Sequence, residues 1–253
     1  MRDPTRTALA AVALSFGVIW AGSAAAQAVE SAYVAAPLSA TVTEMASWVV
    51  ASGDNRGLPF VVIDKVAAEV FVFGADGQLR GSGTALLGLA RGDESVPGIG
   101  DRKMSAIRPS ERTTPAGRFV AGYGYARGDR KVLWIDYASA ISLHPVVTSN
   151  PKERRLQRLK SASTQDNRIT YGCINVSAAF YENVVRRTLM GTKGVFYVLP
   201  ETKPLDEVFP AFRAQARVAS TGEPADALHL EQSQEARAAD NPDNPAAGAS
   251  GSQ

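Results

Sequence analysis

The chain has 253 residues, one cysteine, two histidines, and 27 Lys+Arg against 25 Asp+Glu, a formal net charge of +2. A single cysteine excludes an internal disulfide, and one Cys with two His cannot easily fill a zinc site, which usually draws three or four His/Cys ligands in familiar spacings, so no metal is expected. The small net charge gives no reason to expect a nucleic-acid partner.

The first 28 residues set the expected compartment. Arg2 and Arg6 precede an apolar run from Ala8 to Trp20 and the small residues Ala21–Ala26. That is the layout of a secretory signal peptide, with cleavage sites at Ala24-Ala25-Ala26 or Ala26-Gln27-Ala28. The run is shorter than the ~20 apolar residues a spanning helix needs. The expectation is an exported protein of the periplasm or cell envelope, with no stable membrane insertion after cleavage.

Residues 29–57 read as a lead-in with a short amphipathic helix over Leu38–Val50. Strand patterns follow. Phe60–Asp64 and Glu69–Phe73 are β-branched and aromatic, and Asp76-Gly77 supplies a turn. Thr114-Pro115-Ala116 leads into a strand over Gly117–Tyr123, and Val132–Asp136 and Ala140–His144 read as two more. Ser177 suits the N-cap of a helix to about Met190, in which Phe180/Val184 and Tyr181/Val185/Leu189 recur at helical spacing. Gly194–Leu199 is a closing strand. These elements predict a mainly β (β-rich α+β) domain over residues 58–200, a sandwich or barrel-like sheet with one or two short helices. Gly98-Ile99-Gly100 lacks the strand–turn–helix setting of a phosphate-binding loop, so no cofactor is expected. Residues 201–253 carry nine acidic and four basic side chains, a net of −5, which leaves +7 on residues 1–200. The end of this segment has no apolar periodicity, so 201–253 reads as an acidic, largely disordered tail.

The lone Cys173 lies in Arg168-Ile169-Thr170-Tyr171-Gly172-Cys173-Ile174-Asn175. Placed directly before the expected helix, its thiol would feel the positive end of the helix dipole, which favours the thiolate. Gly172 permits a tight backbone whose N–H groups converge on one spot, as an oxyanion requires. His144 is the one histidine in the expected folded body and suits a general base near neutral pH. His229 falls in the tail. A lone cysteine is, equally, often a small buried hydrophobe.

At these residues the sequence resembles the L,D-transpeptidase (YkuD-type) catalytic domain. The resemblance rests on Thr170-Tyr171-Gly172-Cys173-Ile174-Asn175, the upstream His144 and Thr114-Pro115-x-Gly117-x-Phe119, and covers roughly Leu58 to Pro200. It implies a YkuD-type β-sandwich and a cysteine enzyme without a cofactor, acting on peptidoglycan stem peptides in cell-wall biogenesis. Cys173 matches the nucleophile and His144 the residue that activates it. The backbone around Tyr171, Gly172 and Cys173 matches the oxyanion hole, and Thr170, Asn175 and Arg168 flank the site as oxyanion or substrate contacts. The chain departs from the family in two places. Tyr171 stands where His is usual, and the Pro145–Arg168 loop is long, with a net charge of +4 over Lys152–Lys160. That stretch suits a solvated helical face or a basic lid over an anionic substrate. Alternative readings are an L,D-carboxypeptidase or amidase on the same fold, and a non-catalytic wall-binding relative.

Overall fold

Each apolar run read as a strand forms one in the computed structural model, which describes residues 38–126 and 131–212. The expected signal segment 1–28, His229 and the end of the tail lie outside the described residues. The strands are β1 (Phe60–Asp64), β2 (Glu69–Phe73), β3 (Leu79–Gly88), β4 (Gly117–Tyr125), β5 (Lys131–Asp136), β6 (Ile141–Pro145), β7 (Arg168–Thr170), β8 (Ile174–Val176) and β9 (Gly194–Val198). Hydrogen bonding runs in the order β2-β1-β9-β4-β5-β6-β8-β3, β3 also pairs with β2, and β7 lies parallel on β3.

Eight strands therefore close a ring. The expectation of a mainly β, β-rich α+β fold holds, but the sheet is barrel-like and not specifically a sandwich. The reason lies in the two longest strands, which change partners midway. β4 pairs with β9 through Ala121 and with β5 from Gly122. β3 pairs with β2 up to Thr84 and with β8 from Ala85. Strands that pass from one half of a sheet to the other turn two layers into a closed wall.

Alternation along the strands sorts the core into two layers. Val61, Ile63, Val70, Val72, Phe196 and Val198 face one cluster, with Leu133, Leu143, Ile174 and Val176. Phe60, Val62, Phe71, Phe73, Val195 and Tyr197 face the other. Because both faces of β1, β2 and β9 are covered, their sequences run apolar without a polar alternate.

Helix α1 (Ala40–Ser52) covers the second layer. Ser39 caps it by accepting from the Val42 amide, Gly53 ends it at φ 67°, and Val42, Met45, Trp48 and Val49 turn inward. The short helix α2 (Arg155–Arg158) follows a 3-10 turn over Pro151–Glu153. A third helix, α3, starts as Ala178–Phe180, widens to a π-turn over Tyr181–Val185 and ends as Arg186–Leu189. Ser177 caps it, accepting from Phe180 N at 3.1 Å. No helix among the described residues is long and apolar enough to cross a membrane.

The folded body runs past both expected limits of 58 and 200. Helix α1 belongs to the core, and so does the start of the acidic segment. Helix α4 (Leu205–Val208) leads to Phe209, which is 4% exposed, and Phe212 meets Trp48 edge-on at 5.8 Å. Buried ion pairs bind the same segment. Lys65 Nζ lies 2.6 Å from Asp93, Asp93 accepts from the amides of Glu201, Thr202 and Lys203, and Glu201 accepts from both terminal nitrogens of Arg168. Composition marked this stretch as acidic, but two of its residues complete the fold: Glu201 answers buried cations and Phe209 fills the second core layer.

Candidate functional site

The site is built on two adjacent parallel strands. In β6 and β8, Leu143 pairs with Ile174, His144 with Asn175 and Pro145 with Val176. Side chains alternate across a strand, so Leu143, Ile174 and Val176 enter the core. Ser142, His144, Cys173 and Asn175 share the opposite face. Cys173 Sγ lies 3.6 Å from Ser142 Oγ and 3.6 Å from the Ala140 carbonyl. His144 places Nδ1 2.8 Å from the Pro145 carbonyl and Nε2 3.0 Å from Asn175 Nδ2.

The turn between β7 and β8 presents the thiol. Thr170 Oγ1 donates to the Cys173 carbonyl at 2.7 Å and accepts from the Gly172 amide at 3.1 Å. Gly172 sits at φ 125°, and a Cβ there would lie 2.6 Å from both the Thr113 carbonyl oxygen and Ile141 Cδ1. Here the left-handed region and the lack of space both require glycine. Because the Gly172 amide is held by Thr170, it is not one of the donors an oxyanion could use, as the expectation had it. Tyr171 and Cys173 supply the neighbouring backbone amides of the turn.

Burial pushes the Cys173 thiol up, but the hydrogen bond and charge of His144, then the hydroxyl and backbone of Ser142, outweigh it and hold the thiol below its ordinary value. The expected helix dipole does not contribute. Strand β8 and the cap Ser177 separate Cys173 from α3, which begins at Ala178, and the dipole acts only within the first turn. The cause of the thiol's acidity is its neighbour on β6.

Such a pair can do acyl-transfer chemistry. No family model and no curated protein matches the chain. Among solved structures, it is similar to the helical cell shape determining protein Pgp2 from Campylobacter jejuni, at 17% identity and TM-score 0.38, over 58% of this chain and 49% of that one. A point mutant of the same protein aligns at 14% identity and TM-score 0.39, over 71% of this chain and 64% of that one. The chain thus spans between about half and two thirds of the length of those structures.

The remaining sequence candidates divide. Asn175 is 1% exposed and bridges His144 to Arg155, with Arg155 Nη1 donating to its Oδ1 at 2.7 Å. Thr170 is buried and braces the turn, its hydroxyl taken up by the Cys173 carbonyl and the Gly172 amide. Arg168 is 6% exposed, donating to Glu201 and to the Lys65 carbonyl, which makes it a brace within the ion cluster in place of the expected substrate contact. Tyr171 is half-buried, with the Arg112 guanidinium 3.9 Å above its ring centroid. The Tyr171 ring therefore serves as a platform for a cation.

Three further residues escaped the sequence reading. Ser142 was within reach, because residues two apart on a strand share a face and it stands two before His144. Thr114 enters the sequence reading only through a turn and the Thr-Pro-x-Gly-x-Phe motif, and Arg155 only as one charge of a basic run. Nothing local in the sequence says that either touches the site.

Proposed function

We propose that the protein is a peptidoglycan L,D-transpeptidase of the YkuD type, exported through its first 28 residues and acting on stem peptides in the periplasm or cell envelope. The observation that carries this reading is the half-buried Cys173 sharing one face of two adjacent parallel strands with His144, whose neighbour Ser142 lies 3.6 Å from the thiol; His144 also favours the thiolate. Low-pKa cysteines beside an imidazole are the nucleophiles of acyl transfer. The resemblance of the Cys173 box and the Thr114-Pro115-x-Gly117-x-Phe119 strand supplies the substrate class.

In this mechanism the Cys173 sulfur attacks the carbonyl between the L-centre of a diamino acid and the terminal D-residue. His144 takes the thiol proton and returns it to the departing amine, so the D-residue leaves and a thioester remains. An amine of a neighbouring stem then attacks the thioester, forms the cross-link and restores the thiol. The tetrahedral oxyanion is met by the amides of Tyr171 and Cys173. An open groove lined by Thr148, Asn150, Pro151, Arg154 and Leu156 runs beside Arg155. Its basic rim suits the carboxylates of a stem peptide.

The deciding experiment incubates the purified protein with a stem tetrapeptide, with and without an acceptor amine, and follows products by mass spectrometry. Release of the D-residue with a cross-linked product, abolished in C173A and in H144A, is the expected result. Tripeptide alone in the presence of amine would make the enzyme a hydrolase. No release of the D-residue from the wild-type protein would overturn the enzymatic reading.

A further inference from the structure

Arg155 comes from the long basic loop between β6 and β7, and it does not point its charge only at solvent. Its side chain is 15% exposed, Nε is paired with Glu153, and Nη1 donates to Asn175 Oδ1 at 2.7 Å. A guanidinium has donors and no acceptor. The atom of Asn175 that faces it must therefore be the amide oxygen, which turns the amide nitrogen to His144. The contact of Asn175 Nδ2 with His144 Nε2 at 3.0 Å is then a donation to the ring nitrogen, which carries no proton. The proton of the neutral ring sits on Nδ1, which donates to the Pro145 carbonyl at 2.8 Å.

We infer that Arg155 is a positioning residue that locks the Asn175 amide with its N–H toward His144 Nε2, keeping that nitrogen unprotonated and His144 a base. The lock works through orientation. If the amide turned over, Oδ1 would face Nε2 and would favour a proton taken there from solvent, so that the ring could no longer accept the proton of Cys173 and form its charge pair with the thiolate by that transfer. Glu153 holds the guanidinium from its other side, so the order of contacts is Glu153, Arg155, Asn175, His144. The basic loop thereby contributes one specific contact to the thiol–imidazole pair as well as charge at its rim. The inference builds on the assignment of His144 as the base in the proposed function, but its test does not require turnover.

The test is the imidazole 15N spectrum of the full chain at fixed neutral pH, in an H229Q background so that His144 alone is observed. The wild type is expected to show a protonated Nδ1 and a bare Nε2. R155A is expected to raise the ratio of protonated to unprotonated Nε2 by about tenfold, the size of one hydrogen bond exchanged from donor to acceptor. R155K, which keeps a charged donor, should restore part of the wild-type spectrum. In an N175A background R155A should have no effect, since the arginine acts through that amide. R155M, which keeps the apolar stem, replaces R155A if the alanine variant does not fold. An unchanged Nε2 in R155A and R155M, a wild-type Nε2 that already carries the proton, or the same response with and without Asn175 would each overturn the inference. The last outcome would show that Arg155 acts by its charge alone. Loss of peptide turnover with an intact spectral response would instead strike the proposed function and leave the lock standing.

Discussion

Thr114 and Gly172, 58 residues apart, are joined by a hydrogen bond of 2.9 Å from the threonine hydroxyl to the glycine carbonyl. The same oxygen accepts from the Gly88 amide at 2.9 Å, so one fully buried hydroxyl ties the end of β3 to the turn that presents Cys173. The Thr-Pro-x-Gly-x-Phe segment and the cysteine box thus meet through one side chain. Thr114→Val keeps the shape and removes both bonds, leaving a buried N–H and a buried C=O without partners. The expected cost is about 1–3 kcal/mol, read from urea unfolding, together with slower alkylation of Cys173. Thr114→Ser should retain most of both properties. Equal stability of the valine variant and the wild type would refute the role of this bond.

The acidity of Cys173 gives a second test. Its thiol is held below the ordinary cysteine value because His144 and then Ser142 outweigh the effect of burial. Iodoacetamide reacts with the thiolate, so its rate against pH should show a midpoint below that value. In H144A, burial is left with less opposition, and the midpoint should move upward. S142A should move it in the same direction by a smaller amount. A midpoint in H144A equal to that of the wild type would remove His144 as the source of the thiol's acidity.

How much of this was legible beforehand depended on whether the signal was local. β1, β2 and helix α3 were readable because a two-residue or helical period and a cap lie within one short window, as with Phe60–Asp64 and Ser177. β3 was not, since its LRGSGTALLG interleaves glycines that pack against distant groups: a Cβ at Gly83 would press on the Phe180 ring, and one at Gly88 on the Arg112 carbonyl. At three residues each, β7 and β8 are too short to show a period, and their pairing with β3 and β6 is set by the sheet. The same division holds at the site. Cys173 and His144 stood out through rarity and motif, whereas Arg155 and Thr114 reach it by tertiary contacts that no spacing in the sequence encodes. The mistaken helix dipole came from not seeing β8 between Cys173 and α3.

Gly172 is a position where backbone and space make the same demand. An alanine would have to adopt φ 125° and place its methyl 2.6 Å from the Thr113 carbonyl oxygen and from Ile141 Cδ1. A strained non-glycine backbone costs on the order of 1–3 kcal/mol, and the clash adds to it. G172A should therefore unfold at lower urea and lose acylation by a stem peptide or a reactive thioester. If G172A were as stable as the wild type and acylated at the same rate, the turn would be more accommodating than its contacts imply.

The buried ion cluster makes a prediction in pH. Burial alone would raise the Asp93 carboxyl, but hydrogen bonds from Lys65, from the Thr202 hydroxyl and from the amides of Glu201 and Lys203 hold it well below the usual carboxylate range. A carboxyl depressed in the folded state stabilises the fold above its unfolded value of about 3.9, and that contribution fades as pH falls below it toward the folded value. Asp93→Ala leaves Lys65, which is 0% exposed, without its nearest counter-charge at 2.6 Å. Breaking such a pair costs about 3–5 kcal/mol near neutral pH. Because Asp93 also anchors residues 201–203, the loss should extend to the docking of Phe209, visible as faster hydrogen exchange in that segment. The measurement compares urea unfolding of wild type and D93A from pH 7 downward. The stability gap is expected to be constant from pH 7 to about 5 and to narrow progressively below about pH 4. A gap that stayed the same down to the acid limit would mean that the Asp93 charge contributes nothing and that only its packing matters.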